Sequence, residues 1–67
     1  MRDKTQTAVD LLKTKYADGS RTVTKKTVND HLTKKHGSGC PIMMLELRLR
    51  GYVTSKNNTF YITSKAS

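Results

Sequence analysis

The sequence predicts an α+β domain, three helices followed by a small antiparallel β-hairpin. Two segments with helical spacing of apolar residues, 4–17 and 25–36, are each closed by a nearby glycine. A third and greasier segment, residues 40–50, stops at Gly51 and runs straight into β-prone residues. Two β-rich runs then flank Asn57-Asn58, a pair suited to a two-residue turn.

The first helix is expected from Lys4 to about Ala17, with Asp3 as its N-cap. Val9, Leu12 and Tyr16 fall on one stripe with Ala8 on its flank, and Lys13 and Lys15 lie off it. Asp18-Gly19-Ser20 ends the helix, Gly19 being the natural left-handed residue. Arg21-Thr22-Val23 is β-prone but too short to stand as a strand alone; it is placed to pair with the later hairpin. Thr24 reads as the N-cap of a second helix that runs through His36 and stops at Gly37. Val28 and Leu32 form its inner stripe, with Thr27 and His31 beside them. Lys34, Lys35 and His36 suit the negative end of its dipole. So few apolar residues leave this helix dependent on tertiary contacts.

Gly37-Ser38-Gly39 is a tight connection. Pro41 is expected in the first turn of the third helix, capped by Cys40 or Ser38, with the helix reaching about Arg50 and Gly51 ending it. Tyr52–Lys56 and Thr59–Thr63 are the two strands. Alternation puts Val53 with Ser55, and Phe60 with Ile62, leaving Tyr61 on the other face. Residues 64–67 read as a polar tail, so a single domain covers 1–67 with its core in about 5–63.

Sixty-seven residues lie just under the roughly 70–80 at which one hydrophobic core stabilises a chain comfortably. With one cysteine there is no internal disulfide. The chain must pack efficiently, bind something or oligomerise. No apolar run nears the roughly 20 residues of a membrane span, and no signal-peptide pattern opens the sequence. The expectation is a soluble cytoplasmic protein, and the single cysteine agrees with a reducing compartment. Thirteen Lys and Arg against five Asp and Glu give +8. A field of that sign attracts polyanions, nucleic acid first.

Helix, short strand, helix, tight turn, helix and hairpin is the order of a winged helix-turn-helix domain, which the chain resembles over about residues 5–63. The resemblance rests on the Val28 and Leu32 stripe, the Gly37-Ser38-Gly39 turn, and Met44, Leu47, Gly51, Tyr52 and Val53. In that family the third helix ends in a leucine, three residues, a glycine and the first wing strand, as Leu47, Gly51, Tyr52 and Val53 do here. The Asn57-Asn58 hairpin would be the wing. The resemblance implies double-stranded DNA as partner, regulation of transcription or another DNA transaction, and a homodimer. Short Lys- and Thr-rich domains of this kind resemble regulators carried by phages, plasmids or archaeal elements. Some members of the family bind proteins instead, and fold alone does not settle function.

On the third helix, Cys40, Met43, Met44 and Leu47 cluster on one side, and Ile42, Leu45 and Leu49 on the opposite side. Arg48 lies on one seam, Glu46 and Arg50 on the other. The resemblance puts Met44 and Leu47 in the core, which turns Ile42, Leu45 and Leu49 outward. That stripe packs on the first helix or a second subunit, or touches thymine methyls, or is covered by the hairpin or tail. Ser38 and Cys40, at the expected start of the helix, are weak base readers, and no arginine stands there to grip a guanine. Phosphate contacts are better supplied, by Lys25 and Lys26, by Lys34, Lys35 and His36 next to the turn, by Arg48 and Arg50, and by Lys56 beside Asn57 and Asn58 at the hairpin tip. For each lysine taken singly, a solvated surface charge is the plainer reading.

Other chemistries find little support. Cys40, His31 and His36 lack metal-site spacing and number only three, so no metal or cofactor is expected; His31 reads as a partly buried helix residue and Cys40 as a small core residue. Five scattered acids, with no phosphate loop and no nucleophile motif, point away from an enzyme and a small-molecule substrate. The third helix has too narrow a polar side for a membrane surface. The runner-up function is a protein-interaction module that binds or inhibits an acidic partner through Ile42, Leu45 and Leu49.

Overall fold

The computed structural model describes residues 3–67. In chain order come α1 (Lys4–Ala17), β1 (Thr22–Val23), α2 (Lys25–His36), α3 (Met43–Leu49), β2 (Val53–Lys56) and β3 (Thr59–Ile62), closed by a 3-10 turn at Ser64–Ala66.

Local chemistry explains the ends of the first two helices. The Asp3 carboxylate accepts the Gln6 N–H at 2.7 Å, and Thr24 Oγ1 accepts the Thr27 N–H at 3.1 Å. Past α1, the N–H groups of Gly19 and Ser20 donate back to the carbonyls of Tyr16 and Lys15. That pairing satisfies carbonyls the helix would otherwise leave open. Gly37 ends α2 at φ +83°, a backbone region that glycine enters without steric cost.

The third helix is shorter than expected. It begins at Met43, Ile42 stands at the cap position, and no side chain caps it. Neither Cys40 nor Ser38 serves. The cause is Pro41, which occupies the second position of a turn in which the Met43 N–H donates to the Cys40 carbonyl at 3.1 Å. Proline's fixed φ suits that position as well as it suits a first helical turn. At the other end Gly51 (φ +86°) and Tyr52 donate to the Arg48 and Leu47 carbonyls, so the helix turns directly into β2.

The three strands form an antiparallel sheet in the order β1-β3-β2. Val53 pairs with Ile62, Ser55 with Phe60, and Val23 with Phe60 on the other edge. Val53, Ile62 and Val23 are buried and Tyr61 faces out, as alternation requires. Asn57 and Asn58 both hold positive φ, +51° and +61°, which two-residue hairpin turns demand.

The core draws Ala8, Val9 and Leu12 from α1, Val28 and Leu32 from α2, and Met43, Met44 and Leu47 from α3 against the sheet. Residues 64–67 are not a loose polar tail. Ala66 is 2% exposed and packs against α1. Thr63 starts this turn by accepting the Lys65 N–H and donating its hydroxyl to the Gly51 carbonyl at 2.6 Å. Lys65 donates to the Arg50 carbonyl and sits 4.9 Å over the Tyr52 ring. A short threonine cap and one buried methyl therefore extend the core past residue 63. Among the described residues no helix is long and apolar enough to cross a membrane.

Candidate nucleic-acid interface

Sheet register decides which cations meet. Val23 stands opposite Phe60, one residue from the start of β3, and the next residue, Thr24, opens α2. The first turn of α2, with Lys25 and Lys26, therefore lies at the same end of the sheet as Lys56, Asn57 and Asn58. All five are exposed. Lys26 is tied to Asp30 at 2.9 Å, while Lys25 and Lys56 have no ion pair among the described residues.

A second group sits at the far end of α2, about 15 Å away for a helix rising 1.5 Å per residue. Lys34 and Lys35 are exposed there. His36 is half-buried, and its Nε2 is hydrogen-bonded to Thr7 Oγ1 at 2.7 Å, so its ring ties α2 to α1. Ser38 does not stand at the head of α3; its hydroxyl accepts from Lys4 Nζ at 2.7 Å, and Lys4 also reaches the Gly39 carbonyl. Lys4 thus fastens the 37–39 turn to α1. Sequence reasoning missed this role, because nothing local to Lys4 signals a partner 34 residues away.

Arg48 and Arg50 form a third group, beside the base of the hairpin rather than its tip. Arg50 pairs with Glu46 at 3.3 Å, and Arg48 is exposed without an ion pair among the described residues. Glu46 also accepts a long bond from Thr5 of α1 at 3.5 Å. Between these seams, Ile42, Leu45 and Leu49 are 60%, 51% and 79% exposed. Within one copy of the chain, neither α1, the hairpin nor the C-terminal turn covers the stripe, which removes those readings of it.

A groove between α1 and α2, unforeseen in the sequence, is lined by Thr7, Asp10, Leu11, Thr14, His31, Lys35 and His36. Burial, with Lys35 and Lys34 nearby, holds His31 below its ordinary value, so its ring is neutral near pH 7. No cluster of His, Cys, Asp or Glu among the described residues could hold a metal ion.

Charge is distributed unevenly along the chain. Residues 21–67 hold nine Lys and Arg and two acids, whereas residues 1–20 hold four and three. The acids of the first part, Asp3, Asp10 and Asp18, belong to α1 and its two caps. The net positive charge therefore lies mostly in residues 21–67, with α2 its largest contributor and Arg21, Arg48, Arg50, Lys56 and Lys65 supplying the rest.

No protein-family description, no curated protein sequence and no solved structure matches this chain.

Proposed function

We propose that this chain is a small winged helix-turn-helix protein that binds double-stranded DNA, mainly through its phosphates, in transcription regulation or another DNA transaction. The observation that carries the reading is the meeting of Lys25 and Lys26 with the Lys56-Asn57-Asn58 tip at one end of the sheet. The element order and the three-stranded antiparallel sheet are compatible with that family. Lysines at both ends of α2 span about 15 Å, more than the major groove's roughly 12 Å width, so they reach phosphates on both of its banks. Sequence preference is weak in this reading, since no arginine opens α3 to read a guanine edge.

The test is binding to a random-sequence 20-bp duplex over a series of salt concentrations. Affinity falls steeply with salt, and Lys35→Ala and Lys56→Ala each flatten the logarithmic slope by about one unit. Lys26→Ala flattens it somewhat less, because the exposed Asp30 carboxylate 2.9 Å away partly offsets that charge. Absence of duplex binding at low salt sinks the proposal. The second reading, a module that docks an acidic protein, draws on the exposure of Ile42, Leu45 and Leu49. It predicts no duplex binding at any salt.

A further inference from the structure

We propose that the outer face of the sheet, centred on Tyr61, is a separate site that takes single-stranded DNA, with a base stacked on the Tyr61 ring. The choice of DNA over RNA rests on the duplex reading above; the stacking site does not.

Register assembles this face. Val23, Val53 and Ile62 are buried in the core, so alternation turns Thr22 of β1, Thr54 and Lys56 of β2, and Thr59 and Tyr61 of β3 to the other side. Tyr61 lies on the central strand, with Thr22 opposite it on one edge and Thr54 on the other. The Thr63 N–H donates to the Tyr52 carbonyl at 2.9 Å, which carries the ladder one pair further and adds Tyr52 and Thr63 to the same face. Lys65 stands over the Tyr52 ring. Lys56 pairs with Thr59, so it lies four residues along the sheet from the Tyr52 pair, roughly 14 Å at 3.4 Å per residue. A cation marks each end of the face, and the Tyr61 ring lies between them.

The chemistry of the face selects its occupant. Among the described residues Tyr61 is the only aromatic side chain that is exposed rather than half-buried. A ring set between two short threonines offers a π surface that any base can cover. No acid occurs in residues 19–29 or 47–67, so nothing on the three strands opposes a phosphate. Lys56 has no ion pair among the described residues. Lys65 spends one of its three ammonium protons on the Arg50 carbonyl and keeps two. Cations on either side of a ring suit a chain that alternates phosphates with bases. A duplex does not meet this need, because its base faces are covered by its own stack. Lys56 also belongs to the hairpin tip, so a strand parted from a duplex held there reaches Tyr61 directly.

The test uses wild type, Tyr61→Phe and Tyr61→Thr, the last a residue that keeps strand preference. Four probes are compared in dilute salt: a 12-nucleotide oligothymidylate, the same strand without bases, a 12-nucleotide oligouridylate and a 12-bp duplex. Wild type should bind oligothymidylate at least about five-fold tighter than the abasic strand. Tyr61→Phe should keep that margin within about two-fold, and Tyr61→Thr should lose it. Duplex affinity should agree within about two-fold for all three proteins. In wild type, the Tyr61 ring resonances should move upfield with oligothymidylate and stay in place with the abasic strand, a readout that does not depend on the folding of any variant.

Equal wild-type binding of the oligothymidylate and abasic strands would mean attraction by charge alone and overturns the stacking site. So does a folded Tyr61→Thr with wild-type affinity for oligothymidylate, or an unmoved Tyr61 ring. A Tyr61→Thr that loses duplex and single-strand affinity equally makes this face part of the duplex site, which overturns a separate one. Oligouridylate bound more than about five-fold tighter than oligothymidylate overturns DNA as the occupant. Absence of duplex binding with the oligothymidylate margin intact sinks the duplex reading and upholds the stacking site.

Discussion

Helices α2 and α3 each bury one face and expose the other, and their exposed faces have opposite chemistry. α2 shows water Lys25, Lys26, Lys34 and Lys35, while α3 shows it Ile42, Leu45 and Leu49. Their inner faces contrast too, Val28 and Leu32 in twelve residues of α2 against Met43, Met44 and Leu47 in seven of α3. The long helix is thinly anchored and strongly charged, and the short one is densely anchored and outwardly dry. The contrast separates long-range attraction, a property of α2 and the hairpin, from close contact, a property of α3.

The largest expected effect tests the two sides of α3. Leu47→Ala, at a fully buried position, should cost about 2–5 kcal/mol. Chains of this size have total stabilities of roughly 3–10 kcal/mol, so urea denaturation should find that variant largely or wholly unfolded. Leu49→Ala, on the opposite side, should stay within about 0.5 kcal/mol of wild type. Comparable losses from both would mean that the stripe is not solvent-facing in solution.

A smaller effect concerns the hairpin that holds Lys56 at the basic end of the sheet. Asn58 sits at φ +61°. Asn58→Gly should raise the denaturation midpoint by about 0.5–1 kcal/mol, the relief of a left-handed residue reduced by glycine's larger unfolded entropy. A destabilised variant would mean that the Asn58 side chain, not its backbone, secures the turn.

The smallest effect reports on the crowding of charge along α2. His31 titrates below its ordinary 6.5 because of burial first, then Lys35 and Lys34. The folded state thus favours the neutral ring. Its contribution to stability is complete above 6.5 and fades as pH falls through the lowered folded value. Denaturation midpoints should decline on that acid side, and His31→Asn should remove part of the slope. An NMR titration of His31 at or above 6.5 would contradict the crowding.

The elements that sequence made legible are those governed by neighbouring residues. Asp3, Thr24, Gly19, Gly37 and Asn57-Asn58 each act within four residues of themselves, and each stands where its chemistry predicts. Pro41 misled because two local motifs accept a proline equally well, and the turn won. Ala66 misled because one methyl among polar neighbours leaves no periodic trace, although it is buried. Of the candidate site, the residue types were legible but not their grouping. That Lys56 joins Lys25 while Arg48 does not depends on the pairing of β1 with β3, set by residues almost 40 positions apart. The commitments of His36 to Thr7 and of Ser38 to Lys4 are of the same non-local kind.

The burial of Ala66 against α1 has a consequence for how the chain comes to be folded. Synthesis proceeds from the N-terminus, so α1 exists long before the residues that cover it. β1 waits for β3, the central strand, and α1 waits for Ala66. Helices made early have only part of their apolar surface to set against one another, and short helices alone are marginal in water. The core of residues 3–67 is therefore complete only once residue 66 has been added, because the last turn supplies part of the cover for the first helix.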